Sequence, residues 1–318
     1  MAETMIEIVD LTRTYGPLKA LDRINLQVAR GQVMGFLGPN GAGKTTTMRI
    51  LAGLLSPSEG TVKVGGIDLI DQPNAARARL GYLPESPPLY PELTVREYLT
   101  YLAQLRGVSA DRRKSAVDRA MERCGLTHVA GRLLENVSRG YKQRAGIAQA
   151  IVHGPDVVIL DEPTVGLDPI QIREIRALIR ELGGEHSVLL STHILPEVRM
   201  TCDRVAVIAK GKIVAEDSLD GLEARFQHLA ALRVRWNAPP ALEAVREIAG
   251  VGEVEPGAEG WLITPKKGAD PTPELVRRSV EQGWDLRELT PTSRTLEEIF
   301  LNLTTTEAEQ NGSAKEAA

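Results

Sequence analysis

The run Gly38-Pro39-Asn40-Gly41-Ala42-Gly43-Lys44-Thr45-Thr46 has the spacing G-x-x-x-x-G-K-[ST], which suits a loop that holds a nucleotide triphosphate. Glycines let the backbone curl so that successive N–H groups point at phosphate oxygens. A helix beginning at the lysine aims its positive end at the same anion. In such a loop Lys44 reaches the β- and γ-phosphates and the Thr45 hydroxyl ligates Mg²⁺. A second candidate is Val157-Val158-Ile159-Leu160-Asp161-Glu162-Pro163, an apolar run ending in two carboxylates. Asp161 at the end of a buried strand can hold Mg²⁺ directly or through water. Glu162, one residue on, can polarise the water that attacks a γ-phosphate. Taken alone, Asp-Glu-Pro after a strand is also a good turn; paired with the loop at 38–46, the catalytic reading prevails.

These residues need rigid elements to hold them. Residues 33–37 form a short apolar strand before the loop, and a helix-compatible run follows over 45–55. Residues 5–84 read as β-rich, with strands near 6–11, 24–28, 33–37 and 61–64 and a turn at Gly65-Gly66. Residues 92–153 read as helical: Leu93, Val95, Tyr98, Leu99, Leu102 and Leu105 recur at helical spacing, a second helix spans 110–124, and a third starts after Ser138. Strand and helix then alternate over 157–160, 171–181, 188–191, 195–201 and 205–209. The unbroken apolar run at 157–160 suits a strand buried on both faces of a mostly parallel sheet.

After residue 219 the pattern restarts in the order β-α-β-β-α-β: strand 232–236, helix 240–249, strands 252–255 and 260–264, helix 273–283, strand 284–289. A closing helix over 294–303 follows. That order suggests a small ferredoxin-like α+β unit. Residues 304–318 lack apolar periodicity and read as a disordered tail. The chain of 318 residues, 42% hydrophobic and 25% charged, accommodates one large domain plus a smaller one. A net charge of −4 and 4% aromatic content argue against nucleic acid as a partner. Cys124 and Cys202 have no metal-ligand spacing and read as buried thiols of a reducing compartment. No apolar run is long enough to cross a bilayer and no signal-peptide core is present, so the chain is expected to be soluble by itself.

At this point the chain resembles the nucleotide-binding subunit of ATP-binding-cassette (ABC) transporters, over residues 5–215. The motifs follow the family's order. Tyr15, in Arg13-Thr14-Tyr15-Gly16, stands where the family places an aromatic that stacks on adenine. Gly166-Leu167-Asp168-Pro169 matches its D-loop, with Asp168 communicating across a dimer, and Ser191-Thr192-His193 its switch histidine. Two positions depart from the pattern. Glu85, after Gly81-Tyr82-Leu83-Pro84, replaces a customary glutamine; it too can ligate Mg²⁺ but adds charge near the phosphates. The signature reads Val137-Ser138-Arg139-Gly140-Tyr141-Lys142-Gln143, with Arg139 and Tyr141 in place of small residues. Ser138 is expected to cap the helix that starts there and Gly140 to permit close backbone approach. With Pro-Leu-Tyr-Pro-Glu-Leu-Thr-Val and Thr295-Leu296-Glu297-Glu298-Ile299-Phe300-Leu301, these variants are similar to ABC-2-type exporter ATPases, including gliding-motility-associated and multidrug or daunorubicin-resistance-like branches.

The resemblance implies a P-loop α/β cassette over 1–219, with a mixed sheet core, a β-rich subdomain and a helical subdomain over 85–153, and an accessory domain over 220–303. It implies two copies closing head to tail, as a homodimer, over two Mg-ATP. Each ATP lies between the loop of one copy and Ser138, Arg139 and Gly140 of the other. Lys44, Glu162 and His193 carry catalysis, and Thr45, Glu85 and Asp161 hold the metal. A separate polytopic membrane subunit is the expected partner, with Pro87-Pro88-Leu89-Tyr90-Pro91 as the candidate contact, which places the chain peripherally at the cytoplasmic membrane face. The basic residues Arg106, Arg112, Arg113, Lys114 and Arg119 read as a solvated helix face. Two other readings remain open: a soluble ABC ATPase working on ribosomes or DNA, and a non-hydrolysing nucleotide-gated scaffold.

Overall fold

The structure, a computed structural model, describes residues 3–222, 231–257, 260–266 and 268–292. The expected helix over 294–303 and the tail over 304–318 lie outside them. The chain divides into two compact units, Met1–Leu219 and Asp220–Ala318.

The first unit contains two sheets. Strands β1 (Thr4–Tyr15), β2 (Leu18–Ala29), β4 (Glu59–Val64) and β5 (Ile67–Asp68) form an antiparallel sheet in the order β2-β1-β4-β5. Their alternating pattern buries one face, with Ile6, Ile8, Leu26, Val28, Val62 and Val64 in a common core. The second sheet runs β10-β9-β3-β8-β7-β6. It comprises β3 (Val33–Leu37), β6 (Leu80–Leu83), β7 (Val157–Asp161), β8 (Ser187–Thr192), β9 (Arg204–Ala209) and β10 (Lys212–Ser218). All pairings are parallel except that of β10 with β9. Every residue of β3, β7 and β8 is buried, as expected for strands covered on both faces. The register sets Leu37 beside Thr192 and Asp161 beside Ser191. Three neighbouring strands therefore end at one level, where open α/β sheets place their ligands.

The helix after β3, α1 (Lys44–Leu51), ends earlier than the sequence suggests. Gly53, at φ 68°, turns left-handed and its N–H returns to the Ile50 carbonyl, a common helix stop. Short α2 (Pro73–Ala78) and edge strand β10 carry little apolar signal and were not anticipated. The helical region is built from α3 (Val95–Leu105), α4 (Ala110–Arg123) and α5 (Arg139–Ile151). A reciprocal capping box starts α3: the Glu97 N–H donates to Thr94 Oγ1 at 3.2 Å and the Thr94 N–H to Glu97 Oε2 at 2.9 Å. On α4, Val117, Ala120 and Met121 face inward, whereas Arg112, Lys114 and Arg119 are exposed. Helices α6 (Pro169–Gly183) and α7 (Leu195–Thr201) complete the unit.

The second unit has its own core. Strands β11 (Ala231–Trp236), β12 (Val251–Glu255), β13 (Trp261–Pro265) and β14 (Leu286–Thr292) pair antiparallel in the order β12-β13-β11-β14. With α8 (Leu242–Arg246) and α9 (Thr272–Glu281) between them, the sequence order is the ferredoxin-like one. Helix α8 starts later than the span 240–249 because Pro239 and Pro240 keep its approach non-helical, and it stops at Arg246, past which the Ile248 N–H turns back to the Val245 carbonyl. Trp236 lies edge-on to both Trp261 and Trp284, with ring centroids 5.3 and 6.0 Å away, and donates Nε1–H to Ser279 Oγ.

Candidate functional site

The loop after β3 is shaped by glycines that no larger residue could replace. A Cβ on Gly38 would sit 2.4 Å from the Ile208 carbonyl oxygen, and Gly43 turns at φ 110° against Ala20 and Leu21. The Gly38 N–H donates to the Thr192 carbonyl, fixing the loop to the end of β8. Gly43 precedes α1 without a side-chain cap, so the first N–H groups of the helix face the loop. Lys44 is buried and folded back: Nζ donates to the Gly38 carbonyl at 2.7 Å and lies 3.3 Å from Glu162 Oε1.

Glu162, just past β7, is a buried non-glycine residue at φ 49°, a conformation that persists only where neighbours impose it. Its N–H donates to the Ser191 carbonyl at 2.9 Å. Oε2 lies 2.9 Å from His193 Nδ1; a carboxylate can only accept, so this nitrogen carries the proton. One cleft is lined by Asn40, Gly41 and Gly43–Thr46 of the loop together with Glu85, Glu162 and His193. Side chains that follow β3, β7 and β8 thus converge on one cleft.

Asp161 is fully buried and, among the described residues, neither carboxylate oxygen has a hydrogen-bond partner. Burial pushes its carboxyl up. Neighbouring Glu162 and Glu85 add to the rise, and the Ser191 and Thr45 hydroxyls beside it offset part. Asp161, Thr45 and Glu85 also line an adjoining cleft with Tyr82 and Gln149. An orphaned buried carboxylate with a hydroxyl and a second carboxylate nearby is the hard-oxygen donor set that suits Mg²⁺.

Other expected residues lie elsewhere. Tyr15 ends β1, half-exposed, with the Arg13 guanidinium 4.7 Å from its ring centroid, and is not among the residues lining the loop's cleft. Ser138, Gly140 and Asp168 line a different cleft beside Tyr141 and Gln171. Ser138 occupies the N-cap position of α5, but its hydroxyl makes no capping bond; this corrects the capping expectation, and with the residue exposed, water can serve the helix N–H groups in its place. Arg139 donates to the Val165 carbonyl at 2.9 Å, its guanidinium filling the space a Cβ on Gly166 would need. Gly140 admits the Gln171 side chain, 2.7 Å from where a Cβ would be. The Asp168 carboxylate caps α6, accepting from the N–H groups of Ile170 and Gln171. Within one chain the phosphate loop and the Ser138–Gly140 turn therefore belong to separate clefts. Sequence reasoning missed Glu197, whose buried carboxylate accepts from the Thr164 and Thr192 hydroxyls.

A glycine loop between a buried parallel strand and a helix, with a carboxylate pair ending the strand two places away in the sheet, defines a P-loop nucleoside triphosphatase. The chain belongs to the ABC transporter ATP-binding proteins: the family described as ABC transporter matches residues 21–165. It is 36% identical to the bacitracin transport ATP-binding protein BcrA of Bacillus licheniformis, over 94% of this chain and 97% of that one. It is 35% identical to the daunorubicin resistance ATP-binding protein DrrA3 of Streptomyces coeruleorubidus, over 96% and 97%. A solved ATP-binding subunit of an ABC transporter superposes with a TM-score of 0.64 at 32% identity, over 70% of this chain and 93% of that one. A bacterial ABC transporter cassette solved as a dimer gives 0.62 at 25% identity, over 68% and 99%. The chain is accordingly an ATPase of the ABC kind. No helix among the described residues is long and apolar enough to cross a membrane.

Proposed function

We propose that this chain is the ATP-hydrolysing subunit of an ABC-2-type exporter, working as a homodimer on a separate polytopic membrane subunit at the cytoplasmic membrane face. The observation that carries the reading is the convergence of Lys44, Glu162 and His193 in one cleft, with the unpartnered Asp161 carboxylate beside Thr45. The relatives named for bacitracin transport and daunorubicin resistance align along nearly the whole chain, which favours a role in export.

In this reading the Gly38–Thr46 backbone cradles the phosphates and Tyr15 stacks on the base. Lys44 leaves the loop carbonyls for the β- and γ-phosphates, which frees Glu162 Oε1. Glu162 accepts a proton from water as the water oxygen bonds to the γ-phosphorus and the bond from that phosphorus to the bridging oxygen breaks. His193, oriented by its Nδ1–H bond to Glu162, presents its other edge to the cleft. Thr45, Asp161 and Glu85 would hold Mg²⁺, which supplies charge neutralisation at the phosphate oxygens when bound. Ser138, Arg139 and Gly140 act on the nucleotide of the other copy, and Asp168 lies at the seam between copies. The 220–303 region forms an accessory domain outside the cassette.

Glu162→Gln tests the reading. Loss of a general base slows turnover about 10²- to 10⁴-fold, while ATP still binds and accumulates a dimer visible by gel filtration. A variant that hydrolyses like the parent, or a membrane preparation that yields ribosomes or DNA in place of a polytopic partner, would remove it.

A further inference from the structure

Glu197, in the first turn of α7, is 1% exposed, and its carboxylate lies outside the residues lining the loop's cleft. Oε1 accepts a short hydrogen bond from Thr164 Oγ1, and Oε2 accepts from Thr192 Oγ1 at 2.7 Å. Arg176 Nη2 lies 3.7 Å from Oε1 and supplies an opposing charge. Thr164 and Thr192 are themselves buried. Thr164 follows Glu162 by two residues, and Thr192 immediately precedes His193. Thr192 is tied further: its hydroxyl accepts from the Ile194 N–H at 3.1 Å and its carbonyl from the Gly38 N–H at 3.3 Å. A single carboxylate thus joins the segment after β7, the last residue of β8 and, through Thr192, the start of the phosphate loop.

The segments it joins are those whose spacing matters. Glu162 and His193 follow different strands; the Glu162 N–H reaches the Ser191 carbonyl, and the two residues themselves meet through their side chains. Glu162 is held in a left-handed conformation, which calls for support from outside its own segment. Burying a carboxylate is unfavourable unless it is paired, and Glu197 is paired with both hydroxyls.

We propose that Glu197 is a positioning residue for hydrolysis. Through the Thr164 and Thr192 hydroxyls it sets the separation of Glu162 and His193, without touching nucleotide or attacking water. The inference rests on the assignment of Glu162 and His193 to the hydrolytic site and adds a determinant behind it.

The test uses the full-length protein and pairs two kinds of threonine change. Thr164→Val and Thr192→Val keep the shape and remove the hydroxyl; Thr164→Ser and Thr192→Ser keep the hydroxyl and remove a methyl. Glu197→Gln keeps the volume but supplies one acceptor where two are used. Turnover of Mg-ATP and the Kd of a fluorescent ATP analogue are measured for each. The valine variants and Glu197→Gln should lower kcat about 10- to 100-fold, the range for displaced supporting groups, with Kd within about threefold of the parent. The serine variants should remain within about threefold in both. Glu197→Gln combined with Thr192→Val should add little to either alone, as members of one unit do.

The reverse order, serine harmful and valine harmless, would make the cluster a packing device and overturn the proposal. So would a fall in kcat matched by an equal loss of nucleotide binding. The parent assignment is read separately: if Glu162→Gln hydrolyses normally, that assignment falls. If Glu162→Gln is inactive while the valine variants are normal, only the role of Glu197 falls.

Discussion

Asp161→Asn should make the nucleotide- and metal-free protein more stable while abolishing its turnover. The side chain is 0% exposed and, among the described residues, both of its oxygens lack a partner. Burial raises its carboxyl above the ordinary 3.8, with Glu162 and Glu85 contributing against the opposing hydroxyls. The folded state therefore holds this proton more tightly than the unfolded state. Its destabilising effect is absent below about pH 3.8, grows as pH rises through the folded-state value, and is complete above it. Asparagine keeps the shape, removes the charge and can donate to the Ser191 hydroxyl, which is also buried without a partner. A buried polar group left unsatisfied costs about 1–3 kcal/mol, and more when charged. The variant should accordingly gain about 1–3 kcal/mol near pH 8, or about 2–10 °C in Tm for a unit of this size. Denaturant titrations in a chelator from about pH 4 upward would show the gap opening as pH rises above the ordinary carboxylate value. Mg-ATP should stabilise the parent and leave the variant nearly unmoved. A variant less stable than the parent at the alkaline end, or a gap that ignores pH, would refute the idea that Asp161 carries an uncompensated charge awaiting a cation.

Three further outcomes follow from local geometry. Gly38→Ala would drive a Cβ to 2.4 Å from the Ile208 carbonyl oxygen; the loop must shift, and nucleotide affinity should fall at least about tenfold, read by equilibrium binding. Thr94→Ala removes the hydroxyl half of the α3 capping box and leaves the residue-94 N–H bonded to Glu97; it should lower stability by about 1 kcal/mol, seen as an earlier denaturation midpoint with ATP affinity unchanged. Cys124 and Cys202 are buried, the Cys124 thiol pushed up to about 12 and that of Cys202 raised as well. A thiol reagent should leave both untouched in the native protein and titrate two groups after unfolding.

The phosphate loop was legible because its chemistry dictates residue types at fixed offsets, and the strand before it coincides with the span read from the sequence. Strand β7 announced itself as an unbroken apolar run, β8 as part of the alternation of strand and helix, and the order of elements gave the second unit. Edge strand β10 did not, because Lys212, Glu216 and Asp217 dilute its apolar positions, and it is held chiefly by pairing with β9. Ser138 has the residue type of an N-cap but not the bond; type identifies the position, whereas orientation depends on the surrounding fold. Glu197 looked like an acidic residue in the first turn of a helix, a common preference. Its meaning emerges only when Thr164, 33 residues earlier, is brought against it by the sheet. Arg139 was readable as a departure from small residues, but its Val165 contact depends on where the loop after β7 passes.

All three tryptophans of the chain lie in the second unit, Trp261 and Trp284 each edge-on to Trp236. The nucleotide cleft belongs wholly to the first, which is therefore dark to red-edge ultraviolet excitation. Intrinsic emission is thus a reporter with a built-in address. Any change in it on adding ATP to the unlabelled protein is a message that has already left the cassette, and its time course dates the arrival.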